Sequence, residues 1–358
     1  MARQRRRLLS RLRISGGPTA VWMLGAAIVV LATILTAGLA LVIEDVLPKQ
    51  DPADRFVSTR IVLVVGAFVL LLFALRTRSV VHRTTGTLFH VQLLDESMKD
   101  LRCGALDSAI MRKMSVRSVT RWIDLEHCRR AGVVDVVDVC DEVGAALERS
   151  INSDRDDTGY TVVPNVLWPM ALAIGGYLPP VHDLALLELP TDGGTAQEVP
   201  LVPDVPLRLS VPSVDLDGKT RTGRVGVWLA FGPAAVKFTI DRFAEFGVST
   251  AYPISVEGWI PDKGAPPQLD TAQLAALGPA LADHLTRIKT ECRGRELVIV
   301  AMIPKIAALA LGWHLAQAQC RFFHGTHLMY YDEQSKTYVP MRVRASQPLE
   351  SPQPIRLP

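Results

Sequence analysis

The residue types able to do chemistry are sparse in this 358-residue chain, and most of the motifs they suggest fail on spacing. Gly218-Lys219-Thr220 matches the end of a P-loop. The leading glycine would fall at Ser213, however, and the residues after Thr220 read as a strand where a P-loop needs a helix. The acidic run Asn152–Gly159 has Asp157 where a calcium loop needs its turn glycine, and Val163 at the twelfth place, so it reads as a solvated turn. His324 and His327 lie three apart on an extended segment and point to opposite faces, which is wrong for a shared metal. There is no G-x-S-x-G, H-E-x-x-H or paired-carboxylate motif, and no Gly-x-Gly-x-x-Gly. No catalytic residue, metal site or cofactor is therefore expected. Cys103, Cys128, Cys140, Cys292 and Cys320 are odd in number and widely spaced, which suits reduced thiols and not a disulfide framework.

What remains sits where strands turn into helices. Lys305 follows Pro304 at the start of an apolar helical stretch. A cation there opposes the helix dipole, so it points to an anion, such as a phosphate, held at the helix start. The competing reading is a solvated lysine. Asn165 and Trp168 occupy the corresponding turn earlier in the chain, and Trp168 is either a surface for stacking a base or plain core.

The elements that must position these residues alternate in type. Leu88–Leu94, Thr161–Val163, Leu184–Leu189, Val225–Phe231 and Leu297–Met302 read as buried strands. Val134–Ile151, Val166–Leu178, Ala234–Phe246, Thr271–Thr290 and Lys305–Ala316 read as helices. Such alternation predicts an α/β fold with a largely parallel sheet. It also repeats. Ala171–Leu178 (ALAIGGYL) and Ala308–Leu315 (ALALGWHL) match at an offset of 137, which also lays Val162-Val163 on Ile299-Val300 and Leu88–Leu94 on Val225–Phe231. We read two fused Rossmann-like halves, 79–212 and 213–345, joined by the proline-rich stretch Pro190–Pro212. The proline-rich end, 346–358, is expected to be disordered. Ligands of such sheets sit at the carboxyl ends of the strands. The candidate binding residues are accordingly Gln92, Asp95, Phe231 and Gly232 at the ends of the first strands, and Asn165, Trp168, Pro304 and Lys305 at the turns. His314 and Tyr330 complete the set.

Residues 1–78 form a separate N-terminal segment. They carry ten Arg plus Lys49 against four acids, a balance of 11 − 4 = +7, whereas the whole chain is +3, leaving 3 − 7 = −4 for the rest. That acidic remainder argues against a duplex nucleic-acid binder. With 49% hydrophobic residues, the chain can bury a core, which excludes full disorder. The mean hydropathy of +0.22 is high for this length. Val21–Ile43 is an uncharged run of 23 residues, enough at about 1.5 Å per residue to span a core of about 30 Å and too long for a cleaved leader. A second span is expected over about 57–75, with Arg60 and Arg76 reaching to the headgroups. The two spans have no ionisable residue inside apart from Arg60 at an edge, so they suit an anchor or an assembling hairpin better than a transporter.

The stretch Glu296–Arg344 resembles the end of the SAVED domain: a hydrophobic strand, Pro304, a helix with Ala308 and Leu311-Gly312, then Tyr330 and Tyr338-Val339-Pro340. SAVED domains are two fused CARF-like Rossmann units, and the resemblance extends weakly back to about residue 85. With two preceding spans, the whole resembles the transmembrane-SAVED effectors of CBASS anti-phage defence. That resemblance implies a non-enzymatic receptor at the inner membrane. It would bind a cyclic oligonucleotide, assemble with further copies and disrupt the lipid bilayer. Two other classes stay open on the residues alone: a membrane-anchored nucleotide-binding enzyme and a two-span scaffold for cytosolic partners.

Arg3, Arg5, Arg6, Arg7, Arg11 and Arg13 precede the first span, and Arg76, Arg78 and Arg83 come after the second. The positive-inside rule then places both chain ends in the cytoplasm. A reporter active only outside the cytoplasm should work when inserted in the Pro48–Asp54 loop and stay silent when fused after Pro358. The reverse pattern would remove this topology.

Overall fold

The computed structural model describes residues 18–352, except 47–56, 85, 97, 155–158, 181–183, 191–195, 204–205, 217–222, 233–237, 260–268 and 318–320. In the first two helices, side chains are described over 25–40 and 61–77. The Arg tract, most of the inter-span loop, Gly218-Lys219-Thr220 and residues 353–358 therefore lie outside the described residues.

The described residues begin with two helices, α1 (Pro18–Val46) and α2 (Val57–Thr84). They pack as a hairpin, with Gly38 so near Val64 that a Cβ on it would stand 2.7 Å from the valine methyl. Val29, Val30, Val62, Leu63, Val69 and Phe73 are each more than half exposed. The hydroxyls of Thr33, Thr36 and Thr77 turn back onto the carbonyls of Val29, Ala32 and Phe73. Among the described residues no helix is long and apolar enough to cross a membrane. The described side-chain runs, 25–40 and 61–77, are themselves shorter than the roughly 20 residues a span needs.

The second unit is α/β with two sheets. The first has the order β2 (Ser115–Trp122), β1 (Thr87–Leu94), β5 (Tyr160–Asn165), β6 (Leu184–Glu188) and β7 (Gln197–Pro200). The second runs β3 (Arg129–Arg130), β4 (Val133–Asp135), β14 (Thr337–Arg342), β13 (Thr326–Asp332), β12 (Leu297–Met302), β10 (Arg224–Ala230), β11 (Val248–Val256) and β8 (Leu209–Ser210), with β9 (Val214–Asp215) also on β11. The central pairs β1–β5, β5–β6, β10–β11, β10–β12 and β12–β13 are all parallel. The helices are α3 (Arg102–Arg112), α4 (Val137–Asn152), α5 (Trp168–Gly175), α6 (Thr271–Glu291) and α7 (Lys305–Gln317).

α5 and α7 are the repeated helices. Both are apolar on nearly every side, and both are buried along most of their length, as helices without a polar face must be. They cross at their small residues. A Cβ on Gly175 would stand 2.0 Å from the Leu309 carbonyl oxygen, and one on Gly312 would stand 2.0 Å from that of Leu172. Leu172 and Leu309, like Gly175 and Gly312, are 137 apart, so each copy of the repeat provides the glycine for the other's carbonyl. One continuous core holds residues of both halves: Phe89, Val91 and Val162 from the first sheet, Val227, Leu229 and Ile299 from the second, and α4, α5, α6 and α7.

Several expectations change. The strands Leu88–Leu94 and Val225–Phe231 do not align at 137. Leu88 pairs with Thr161 and Gly226 with Val298, so the second strands keep the offset of 137 while the first strands stand at 138. Side chains alternate faces along a strand, and only 138 puts Phe89 and Val227 in the same core. The helix read over Ala234–Phe246 is a 3₁₀ turn from Ile240 to Phe246, its earlier part lying outside the described residues. Val134 belongs to β4, which leaves the first half and pairs with β14 of the second. The C-terminal stretch expected to be disordered is docked in its first part. Gln347 is buried, and its side-chain oxygen accepts the Val343 and Arg344 N–H groups at 2.8 and 2.9 Å, while its amide donates to the Thr326 carbonyl at 3.1 Å.

The reciprocal glycines can be tested directly. Gly312→Ala should destabilise the chain by about 1–3 kcal/mol through overpacking. Gly104→Ala should not, since its new methyl would meet Leu189 at an ordinary 3.8 Å and alanine favours the helix. Thermal unfolding in detergent micelles should move the two midpoints in opposite directions.

Candidate functional site

β1 is apolar on one face and mixed on the other. Phe89, Val91 and Leu93 enter the shared core, whereas His90 and Gln92 lie two apart and share the opposite face. The parallel register sets Gln92 beside Asn165, the last residue of β5. Both are fully buried, so their amides must find partners. The Asn165 amide donates to Gln92 Oε1 at 2.9 Å and to the Lys99 carbonyl at 3.0 Å. Gln92 in turn donates to Asp100 Oδ1 at 2.9 Å and accepts the Leu101 N–H at 3.3 Å. Asp100 also accepts the Arg102 N–H at 2.8 Å. That backbone bond, helped by Gln92, holds the Asp100 carboxyl below its usual range.

The second half joins this network through Lys305, the first residue of α7, whose Nζ donates to Asn165 Oδ1 at 2.6 Å. A chain of hydrogen bonds thus runs Lys305, Asn165, Gln92, Asp100, with a cation at one end and a carboxylate at the other. Glu188, at the carboxyl end of β6, accepts the Ile306 N–H at 3.0 Å and supplies the anion that the first turn of α7 favours. The helix start that the sequence offered to a phosphate already holds the protein's own carboxylate. Burial pushes the Glu188 carboxyl up, against the pull of the Ile306 N–H and Lys305. Burial likewise pushes the Lys305 ammonium down, with Glu188 opposing. His90 lies at the same end. Burial holds its imidazole down to about 4, against the Asp100 carboxylate that pulls the other way, and its Nε2 has no hydrogen-bond partner among the described residues.

The candidate residues therefore divide. Gln92, Asn165, Pro304 and Lys305 come together, with Asp95 directly after β1. Trp168 begins α5 half-buried against the shared core, its indole N–H buried and without a partner among the described residues. Phe231 and Gly232 stand at the matching end of β10, where the Phe231 N–H donates to the Met302 carbonyl at 2.8 Å. His314 and Tyr330 lie elsewhere. His314 is bonded to the Leu201 backbone and held down by burial. Tyr330 is a core residue of β13 bonded to Arg129, its hydroxyl pushed up by burial. His90, Glu188 and Asp100 were missed. Two of them had a legible signal, since His90 and Glu188 are polar residues inside apolar strands (LFHVQLL and LALLE).

The site offers a cation, amide donors and an unpaired imidazole nitrogen. The hydrogen bonds described at the site, among Lys305, Asn165, Gln92, Asp100 and Glu188, join no hydroxyl or thiol nucleophile to a base.

No protein-family model and no curated protein matches the chain. Among solved structures, the Acinetobacter baumannii Cap4 SAVED/CARF-domain containing receptor with the cyclic trinucleotide 2'3'3'-cAAA is 11% identical, with a TM-score of 0.43. The alignment covers 81% of this chain and 59% of that one. The same receptor with 3'3'3'-cAAA gives 10% identity over 81% and 60% of the two chains, at a TM-score of 0.44. The Moraxella osloensis Cap4 SAVED/CARF-domain containing receptor gives 13% identity over 67% and 52%, at 0.38. This chain thus spans little more than half the length of the receptors it matches. Their names agree with the domain that Glu296–Arg344 resembles in sequence. TM-scores this low carry no argument about ligand or activity.

His90 gives a pH prediction. Its pKa falls from an ordinary 6.5 to about 4 on folding, so the unfolded chain takes up its proton first as pH drops. Stability from this group is present above 6.5 and is lost as pH falls toward 4. Between pH 7 and pH 5 the loss is about 2 kcal/mol. His90→Gln should flatten that part of the stability profile, measured by thermal unfolding at the two pH values. An unchanged pH dependence would mean that another group titrates.

Proposed function

We propose that the chain is a membrane-anchored receptor for a cyclic oligonucleotide, and that ligand binding drives assembly of its helical hairpin in the cytoplasmic membrane. The observation that carries the ligand reading is the Lys305–Asn165–Gln92–Asp100 chain at the carboxyl ends of β1, β5 and β12. It joins two Rossmann-like halves where sheets of this kind take up ligands. A ligand phosphate is a stronger acceptor for Lys305 than the amide oxygen of Asn165. Binding would free the Asn165 side chain for a base or ribose hydroxyl. Trp168 would present its ring for stacking. The resemblance of Glu296–Arg344 to the SAVED domain supports the same ligand class.

The hairpin supports the anchor. α1 and α2 have 29 and 28 residues, enough at about 1.5 Å per residue to exceed a hydrocarbon core of about 30 Å. Large apolar side chains such as Val29, Val62 and Phe73 face outward, and the hydroxyls of Thr33, Thr36 and Thr77 are satisfied by their own helices, as lipid demands. Gly25, Ala26, Ala32 and Ala37 leave room for close helix contact once hairpins crowd. The chain performs no chemistry in this reading, and the ligand acts by raising the local concentration of hairpins.

Calorimetry on the full chain in detergent, against a panel of cyclic di- and trinucleotides, tests the receptor. A charge-assisted contact is worth about 1.5–3 kcal/mol, so Lys305→Glu should weaken binding by roughly tenfold or more. Deleting residues 1–78 should leave ligand binding intact and abolish membrane depolarisation in cells. Turnover of the ligand by the full chain, or killing by the truncated one, would move the function into the α/β unit and favour the enzyme.

A further inference from the structure

α3 is built inside out. Its small residues Ala105 and Ala109 are buried, whereas Leu106, Ile110 and Met111 are 41%, 72% and 85% exposed. Leu106 and Ile110 lie one turn apart on the same face. A solvent-facing helix ordinarily does the reverse, and clustered exposed large apolar residues mark a contact surface. Cations come next in Arg112 and Lys113.

The end of α3 is fixed to the exit of the helical hairpin. Lys113 takes a positive φ of 56°, which reverses the chain. The Met114 N–H donates to the Ala109 carbonyl at 2.9 Å, and the Ser115 N–H donates to the Gly86 carbonyl at 3.1 Å. Gly86 lies two positions after Thr84, the last residue of α2. The junction is tight, since a Cβ on Gly86 would stand 1.9 Å from the Gly159 carbonyl oxygen. The turn Ile110–Met114 is therefore held at a fixed distance from the end of α2. From Arg76, where the apolar run ends, to Thr84 the helix rises about 12 Å. The headgroup layer takes about 5–7 Å of that. Tilt of α2 and the length of a Met or Lys side chain cover the remainder.

We propose that the Ile110–Lys113 turn is a second membrane contact, seated on the anionic lipid surface of the leaflet from which α2 emerges. This rests on the reading of α1 and α2 as spans. The apolar pair dips toward the acyl boundary, and Arg112 and Lys113 join Arg76 in a cationic belt facing anionic headgroups. The belt would favour a leaflet rich in anionic lipid.

The test places the photoreactive residue p-benzoylphenylalanine at Met111 of the full chain. The chain is reconstituted into nanodiscs of phosphatidylcholine with or without phosphatidylserine, irradiated and read by mass spectrometry. Phospholipid adducts are expected, with a higher yield when phosphatidylserine is present. Lys113→Gln should cut that yield by roughly fivefold, one cation's worth of surface attraction. Adducts to a second copy of the chain would overturn the proposal in favour of a protein interface. Absence of any adduct in a chain that has entered the nanodisc would overturn it outright. A chain that stays in solution without detergent and never enters the nanodisc would instead remove the membrane reading beneath it.

Discussion

The α/β unit depends on the place where α5 and α7 cross. Two helices that carry apolar residues on nearly every side need to be enclosed, and the closer they approach, the less space is left unfilled between the sheets. Glycine at positions 175 and 312 brings each backbone against a carbonyl of the other, the Gly175 position against Leu309 and the Gly312 position against Leu172. Because the two contacts are reciprocal, the halves are related by an approximate two-fold at that point. Phe89, Val162, Val227 and Ile299 can then share one core. Any side chain at either glycine would wedge the helices apart and open that core along its length.

The same crossing sets the polar network. α7 begins at Lys305, and its approach to α5 delivers that lysine to the end of β5, where Asn165 waits. A buried amide pair such as Gln92 and Asn165 is costly without partners. Here each amide is satisfied by the other, by the Lys99 carbonyl, by Asp100 and by Lys305. Glu188 completes the balance by placing a negative charge at the start of α7 beside the lysine. Such a network is rigid when complete and expensive when broken, so a competitor for Lys305 must itself be a strong acceptor. A phosphate meets that condition, whereas water and a neutral amide do not.

Further locks tie the halves together away from the site. Arg344 donates to Asp141 and to the Tyr177 hydroxyl, both at 3.0 Å, and to the Ala173 carbonyl at 2.7 Å. Its guanidinium also sits 4.6 Å from the centre of the Tyr177 ring. Arg342 pairs with Asp135 at 2.7 Å. The chain therefore ends by clamping its last strand onto elements of its first half. That is why residues 346–352 are held in place despite their proline content.

The amino-acid sequence by itself determined the alternation of strands and helices, the apolar hairpin segments, and a repeat with an offset of 137. Each is a local pattern of apolar residues, and local patterns are written directly in the chain. Lys305, Asn165 and Gln92 were also legible, because polar residues at strand ends are placed by topology. Only the tertiary structure decided the rest. The shift of the first strands to an offset of 138 comes from which face meets the core, a condition no single strand carries. Glu188 at the start of α7 and Asp100 behind Gln92 come from segments distant in sequence and adjacent in space. The candidates His314 and Tyr330 carry suitable side chains, yet the folding of α7 and β13 commits them to Leu201 and Arg129. A side chain's chemistry is fixed by its type, but its partner is fixed by the packing of elements that the local sequence does not encode.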